Sequence, residues 1–274
     1  MSMMTIRHLR SRLVVAACLA LTAATAVGAQ GQGQQASPPP PPQLSALSKA
    51  NLAKSRPTPP FDLTGMWQHD GRANTWRFVP ETFKLTPAAQ VHYDLGVKAL
   101  KDGGVYRDDI GQCWPAGMPL IMTRVWPIAM VQLPTVIYMI SHFENSVRII
   151  YLDGRQHTDA DIVVRTFNGE SIGRWESDTL VVDTKYFPGH HHWMDQGGAS
   201  VPVSEDMHII ERFKMRPDGG MDIEYQMTDP KNWEGEWKMT KTFRRREEVD
   251  ITEVQCLPDL NDHLPATRSK NLVK

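Results

Sequence analysis

The sequence has no surplus of either charge: 30 lysines and arginines stand against 31 aspartates and glutamates, a formal net charge of −1 over 274 residues. A chain without a basic face has no electrostatic footprint for nucleic acid. Its one basic run, Arg244 to Arg246, reads as a solvated strand end. Cysteine is scarce, three in all, without the CxxC spacing of a paired zinc site. No P-loop, GxGxxG or HExxH string occurs, nor a GxSxG nucleophile elbow at a strand-to-helix turn. This argues against nucleotide-dependent and acyl-enzyme chemistry. Long apolar runs are missing too. The longest, Leu13 to Val27, has signal-peptide length and is too short to span a bilayer comfortably.

What stands at the N-terminus fits export. Arg7, Arg10 and Arg12 precede the apolar run, and Val27-Gly28-Ala29 places small residues before Gln30. Residues 1–29 are therefore expected to be a signal peptide, and the protein periplasmic or secreted. A second reading takes Val15-Ala16-Ala17-Cys18 as a lipoprotein box with the lipid on Cys18. Residues 30–60, rich in proline and glutamine, have little to bury and read as a disordered linker. The folded domain is expected over 61–261 and a flexible tail over 262–274. No transmembrane segment is expected in the mature chain. It keeps Cys113 and Cys256, which most simply pair in an oxidising compartment.

The domain reads as mostly β. One short N-terminal helix is expected in TPAAQVHYDLGVKALKDGG, capped by Thr86, with Pro87 in its first turn, Gly103 at its exit and Val91, Leu95 and Ala99 on one face. FDLTGMWQ opens the strands. TVIYMISHF with VRIIYLDG, SIGRWE with TLVVDTKYF, and MHIIERFKM with MDIEYQMTD then form hairpins, and EGEWKMTKTFRRR adds a last strand. This spacing predicts an antiparallel meander closed into a lipocalin-like β-barrel, since closure removes exposed edges. Alternation assigns Met221, Ile223, Tyr225 and Met227 inward, with Met207, Ile209, Phe213 and Met215 on the preceding strand. Glu211 falls on that same inward face. Lys241 falls among Trp237, Met239 and Phe243.

These interruptions mark candidate chemistry. An inward Glu211 must be paired, hydrated or protonated, and Lys241 or an arginine reaching the lumen are its candidate partners. It is a general base or acid in one reading and half of a structural ion pair in the other. Arg155 and His157 would share a face if DGRQH is extended, which suits anion binding with proton transfer. Arg174 and Asp183 are candidates to pair across their hairpin, and Trp175 is core or pocket lining. In the run His190 to His192, an extended backbone points His190 and His192 to one side. There they would hold a divalent metal if His157, His208, Asp195 or Glu211 supplied a third ligand. The alternative is a solvated loop at a pocket rim.

SIGRWESDTLVVDTKYF, Trp193-Met194-Asp195, SEDMHIIERF and Thr228-Asp229-Pro230 together resemble a large family of exported bacterial proteins of uncharacterised function. So do FDLTGMW, CWPAGMP, YLDGRQH and the closing EVQCLPDLN. The resemblance covers most of residues 61–261. Asp153, Arg155, His157, Gly173, Arg174, Trp175, Asp178, Asp183, Trp193, Asp195, Ser204, His208, Glu211 and Arg212 fall in its motif positions. The triple histidine is outside the pattern, and Val203 stands where the pattern often has histidine. Gly65-Met66-Trp67 more loosely resembles the Gly-x-Trp of lipocalin-like barrels, whose tryptophan closes the barrel bottom. The resemblance implies kinship rather than a particular chemistry.

The expectation is a barrel that handles a small apolar or aromatic molecule in its lumen, lined by some of the eight tryptophans and fourteen methionines. If it is an enzyme, the expected mode is cofactor-free acid–base chemistry, as a lyase, isomerase or hydratase. Glu211, His157 and Asp195 are the catalytic candidates. Arg155, Arg174, Trp175, Trp193, His208 and Arg212 are the substrate-binding candidates, with Arg155 or Arg212 steadying a developing oxyanion. The alternatives are a non-catalytic carrier and a metal-dependent enzyme built on His190 and His192.

Overall fold

The computed structural model describes residues 42–72, 76–195 and 199–257. The expected signal peptide, Cys18, the first part of the expected linker and the tail lie outside them. Alternating apolar residues between tight turns give nine strands: β1 (Gly65–His69), β2 (Ile128–Leu133), β3 (Val136–Ser141), β4 (Val147–Tyr151), β5 (Glu170–Glu176), β6 (Thr179–Lys185), β7 (His208–Met215), β8 (Met221–Thr228) and β9 (Trp237–Arg245). They pair in sequence order into a closed barrel, β9 returning to β1. The expected hairpins form, and Glu144, Asn145, Ser177 and Gly219 adopt positive φ in their turns. Strand β2, bracketed by Pro127 and Pro134, carries no comparable turn signal and escaped the sequence pattern.

The meander is antiparallel except at one place. β4 and β5 run parallel, pairing Ile150 with Ser171 and Tyr151 with Ile172. An odd number of strands in a closed ring cannot all oppose both neighbours, so one parallel pair is required. It falls where residues 152–169 cross back over the barrel.

The barrel interior is a packed core. Trp67, Met130, Ile137, Ile150, Phe213, Ile223, Tyr225 and Phe243 are all at most 2% exposed, so the lumen is filled with side chains rather than open for ligand. Trp67 is fully buried: its Nε1 donates to the Leu63 carbonyl at 2.8 Å, and the Arg245 guanidinium lies 4.5 Å over its ring. Gly65 has φ 140°, a backbone conformation that residues with a side chain rarely adopt, which explains the glycine of that motif.

Among the described residues two α-helices are present where one was expected. α2 (Pro87–Lys101) is the expected helix, with the Thr86 hydroxyl accepting from Ala89 N. Its buried face carries Ala89, Gly96 and Ala99, whereas Val91 is 57% exposed. The buried face is thus rotated from the expected one, onto the small residues of the helix. α1 (Lys49–Leu52) falls inside the expected linker. Asn51 is buried and its Nδ2 donates to Asp153 Oδ2 at 2.9 Å, while the Thr135 hydroxyl donates to the Ala46 carbonyl at 2.7 Å. Residues 43–60 are thus docked on the barrel by single polar anchors, which a composition argument overlooks. No helix among the described residues is long and apolar enough to cross a membrane.

Candidate active site

The inward Glu211 meets an arginine. Arg148 Nη1 donates to Glu211 Oε1 at 3.0 Å and Nη2 contacts Oε2, while Arg148 Nε and Nη2 also reach the Ser171 and Thr184 hydroxyls at 3.1 and 3.0 Å. Both charged side chains are at most 2% exposed. Arg148 is on the inward face of β4, two residues before the buried Ile150. An arginine reaching the lumen was one of the two candidate partners; Lys241, the other, donates to the Arg77 carbonyl at 2.7 Å. Burial lowers the Lys241 pKa to about 8. Ser171 lies within Gly169-Glu170-Ser171-Ile172-Gly173, which fits GxSxG by letter. It sits on β5, fully buried, its hydroxyl bonded to Arg148 and Thr184, with no strand-to-helix turn.

Other expected pairings also rearrange. Arg174 opposes Val181 rather than Asp183 and pairs with its neighbour Glu176. Arg155 bonds to Asp153 at 2.6 and 2.8 Å, over the Tyr151 ring, and so parts from His157. His157 instead places Nδ1 2.9 Å from Glu170 and Nε2 3.1 Å from Asp183, and His208 Nε2 reaches the same Asp183 oxygen at 2.9 Å. Three motif positions, from the β4–β5 connection, β6 and β7, thus converge on the outside of the barrel. Arg212 is on the opposite face of β7 from Glu211 and bonds Gln226 at 2.8 Å. Trp175 packs edge-on to Phe61 at 4.9 Å.

The histidine run is not extended. His191 has φ 53°, which breaks the alternation that would align His190 with His192. His190 is exposed beside Trp114. His192 is 2% exposed among Phe167 and Phe187, and burial lowers its pKa to about 4. Among the described residues no group of three His, Cys, Asp or Glu side chains is placed to hold a metal ion.

Its middle member is the one with chemical company. His191 Nδ1 lies 2.7 Å from Asp109 Oδ1, and its ring stacks on Trp114 at 3.9 Å, 4° from parallel. Donation from Nδ1 to the carboxylate leaves the Nε2 lone pair as the proton acceptor. Asp109 is steadied by Arg107, whose Nε and Nη2 each lie 3.3 Å from a carboxylate oxygen. Arg107 also lies 5.1 Å over the Trp193 ring. Trp193 contacts His92 and Tyr106, which are joined by a 2.8 Å hydrogen bond.

Tyr106, Arg107, Asp109, His191 and Trp193 line one crevice together with Asp195, Ser200 and Leu120. With its open mouth it spans about 350 Å³, of which about 20 Å³ is room for a water-sized body, so only a small reacting group fits. Asp195, 8% exposed, accepts from Phe78 N at 2.9 Å and Arg77 Nε at 3.3 Å. Burial nonetheless raises its pKa against those donors. The Trp193 Nε1 donor is buried without an acceptor. An oriented imidazole, a carboxyl with a raised pKa and a cation in one crevice form an acid–base constellation. Asp195 and Trp193 were legible candidates. His191, Asp109, Arg107 and Tyr106 were missed, because they lie on irregular segments and only proximity to CWPAGMP and HHHW hinted at them.

No protein-family model matches the sequence, and no curated protein does. Among solved structures the chain is similar to a mutant of the fluorescent protein UnaG, at 12% identity and a TM-score of 0.31, over 68% of this chain and 97% of that one. A likeness at that score carries no argument about the site.

Proposed function

We propose that the chain is an exported barrel that handles a small apolar or aromatic molecule by cofactor-free acid–base chemistry at this crevice, as a lyase, isomerase or hydratase. His191 is the base, oriented by Asp109. Asp195 is the acid, its proton favoured by burial. Arg107 and the Trp193 Nε1 donor hold the reacting group. The observation that carries this reading is the 2.7 Å bond from His191 to Asp109 in the same crevice as Asp195. Glu211 then becomes structural and His157 a surface ion-pair residue. The resemblance to the exported family supports export and includes Trp193 and Asp195, while the triple histidine that holds His191 is outside its pattern. A carrier reading draws on the full pairing of Glu211, which leaves no inward carboxylate free for catalysis.

The test begins with native mass spectrometry of tag-free exported protein, to identify the co-purified small molecule. Trp193→Ala is expected to lose that molecule. His191→Gln and Asp109→Asn are expected to keep it but convert it about 10²–10⁴-fold more slowly. Conversion at the wild-type rate by His191→Gln would end the acid–base reading. Binding without any conversion by the wild type leaves the carrier.

A further inference from the structure

A second, larger space lies among different elements. Residues 52–62, the β2–β3 turn at 132–134, the bend at 152–154 and the end of β5 enclose a cleft of about 930 Å³, within the range of ligand-sized sites. Its apolar surface comes from Leu52, Phe61, Leu133, Leu152 and Trp175. Trp175 and Phe61 meet edge-to-face at 4.9 Å, a corner against which a flat ring packs by stacking on one and edge contact with the other.

The cleft stays open for a covalent reason. The wall formed by residues 56–60 contains Pro57, Pro59 and Pro60, which lack the N–H needed to zip onto a neighbouring strand. α1 and the Asn51–Asp153 bond anchor one end of this wall, and the Asn51 carbonyl and side-chain oxygens hold Arg56, each at 2.7 Å. The wall is thus fixed and stands off the barrel rather than collapsing on Trp175. Its charge leans positive, with Lys54 and Arg56 set against Asp62, which also lines the cleft and accepts from Thr64 N. Neither Lys54 nor Arg56 has a carboxylate partner among the described residues, whereas Asp153 in the same cleft is already neutralised by Arg155.

We propose that this cleft binds a flat aromatic carboxylate, with its ring against Trp175 and Phe61 and its anionic group toward Lys54 and Arg56. The site is separate from the His191 crevice and does not rest on the acid–base reading.

Isothermal titration of the full chain with 2-naphthoate, and with the neutral 2-naphthylmethanol, tests it. Saturable naphthoate binding is expected, weakened at least about tenfold by Trp175→Ala. Lys54→Glu is expected to weaken naphthoate several-fold and leave the alcohol unchanged. Should Trp175→Ala melt early, Lys54→Glu, on the exposed rim, keeps the test intact. His191→Gln is expected to leave naphthoate affinity unchanged. The proposal is overturned if naphthoate fails to saturate, if Lys54→Glu affects both probes alike, or if His191→Gln weakens binding where Trp175→Ala does not.

Discussion

Arg148 and Glu211 form a two-pronged ion pair inside the barrel, with Ser171 and Thr184 completing the arginine's donors. Taking both charges out of water costs much of what their attraction returns, so the pair says more about specificity than about net stability. Removing one partner strands the other in the core. Glu211→Gln is therefore expected to destabilise the fold by about 3–5 kcal/mol, read by chemical denaturation. Arg148→Met with Glu211→Leu together are expected to cost much less than either change alone. A Glu211→Gln protein of wild-type stability would show that the carboxylate is not held as a structural ion.

His157 stands between two carboxylates, each ring nitrogen facing one, which requires an imidazolium. The Asp183 bond first, and then Glu170, raises its pKa despite burial, while Asp183 and Glu170 are lowered in turn by their histidine and threonine donors. The signs set a window. A raised histidine contributes fully below its unfolded value of 6.5 and loses that contribution as pH climbs through the folded value. The lowered carboxylates contribute above their unfolded values and lose it as pH falls through the folded ones. Stability from this cluster is thus greatest between these limits. His157→Asn is expected to remove the decline in melting temperature as pH climbs above 6.5. A decline of the same size in His157→Asn would assign it elsewhere.

The barrel was legible because alternation is written directly in the side chains. Met221, Ile223, Tyr225 and Met227 face inward as their spacing requires, and all are at most 2% exposed. The same rule placed Glu211 inward but could not choose its partner, since register between distant strands decides whether Arg148 or Lys241 meets it. The crevice was harder. Asp109 precedes a short 3₁₀ turn and His191 sits at positive φ, where no period governs which way a side chain points. Alternation therefore singled out His190 and His192, and the tertiary fold selected the residue between them.

Cys113 and Cys256 are joined across 143 positions. Closing a loop of that length stabilises by about 5 kcal/mol in the chain-entropy model. The bond also has a local task. The chain before Cys256 is held by Asn145, whose Nδ2 donates to the Thr252 carbonyl at 2.8 Å, and by His142, 2.9 Å from the Thr252 hydroxyl. This strap ends at Cys113, one residue past the turn that follows Asp109. Cys113→Ser with Cys256→Ser is expected to lower stability by several kcal/mol and to loosen the Asp109–His191 bond, seen as faster hydrogen exchange over residues 108–114. Intact-mass analysis showing two free thiols in the exported protein would remove the premise.

His192 carries the opposite pH sign to His157. Its burial among Phe167 and Phe187 holds it neutral, with a folded pKa of about 4 against 6.5 when unfolded. The unfolded chain therefore takes up the proton first. Stability is full above pH 6.5, declines as pH falls toward 4 and levels off below, a loss of roughly 3 kcal/mol from this residue. His69, also buried and lowered to about 4, adds a loss of the same sign. His192→Leu should flatten part of the difference between denaturation midpoints at pH 4.5 and pH 7 and leave the share due to His69. Because His192 roots the segment that presents His191 and Trp193, acid is expected to disorder the crevice before the barrel. Amide exchange at pH 4.5 tests this order: protection should fall first over residues 190–195 and only later in β7 and β8. Simultaneous loss in both regions would show that His192 is coupled to the whole fold rather than to its loop.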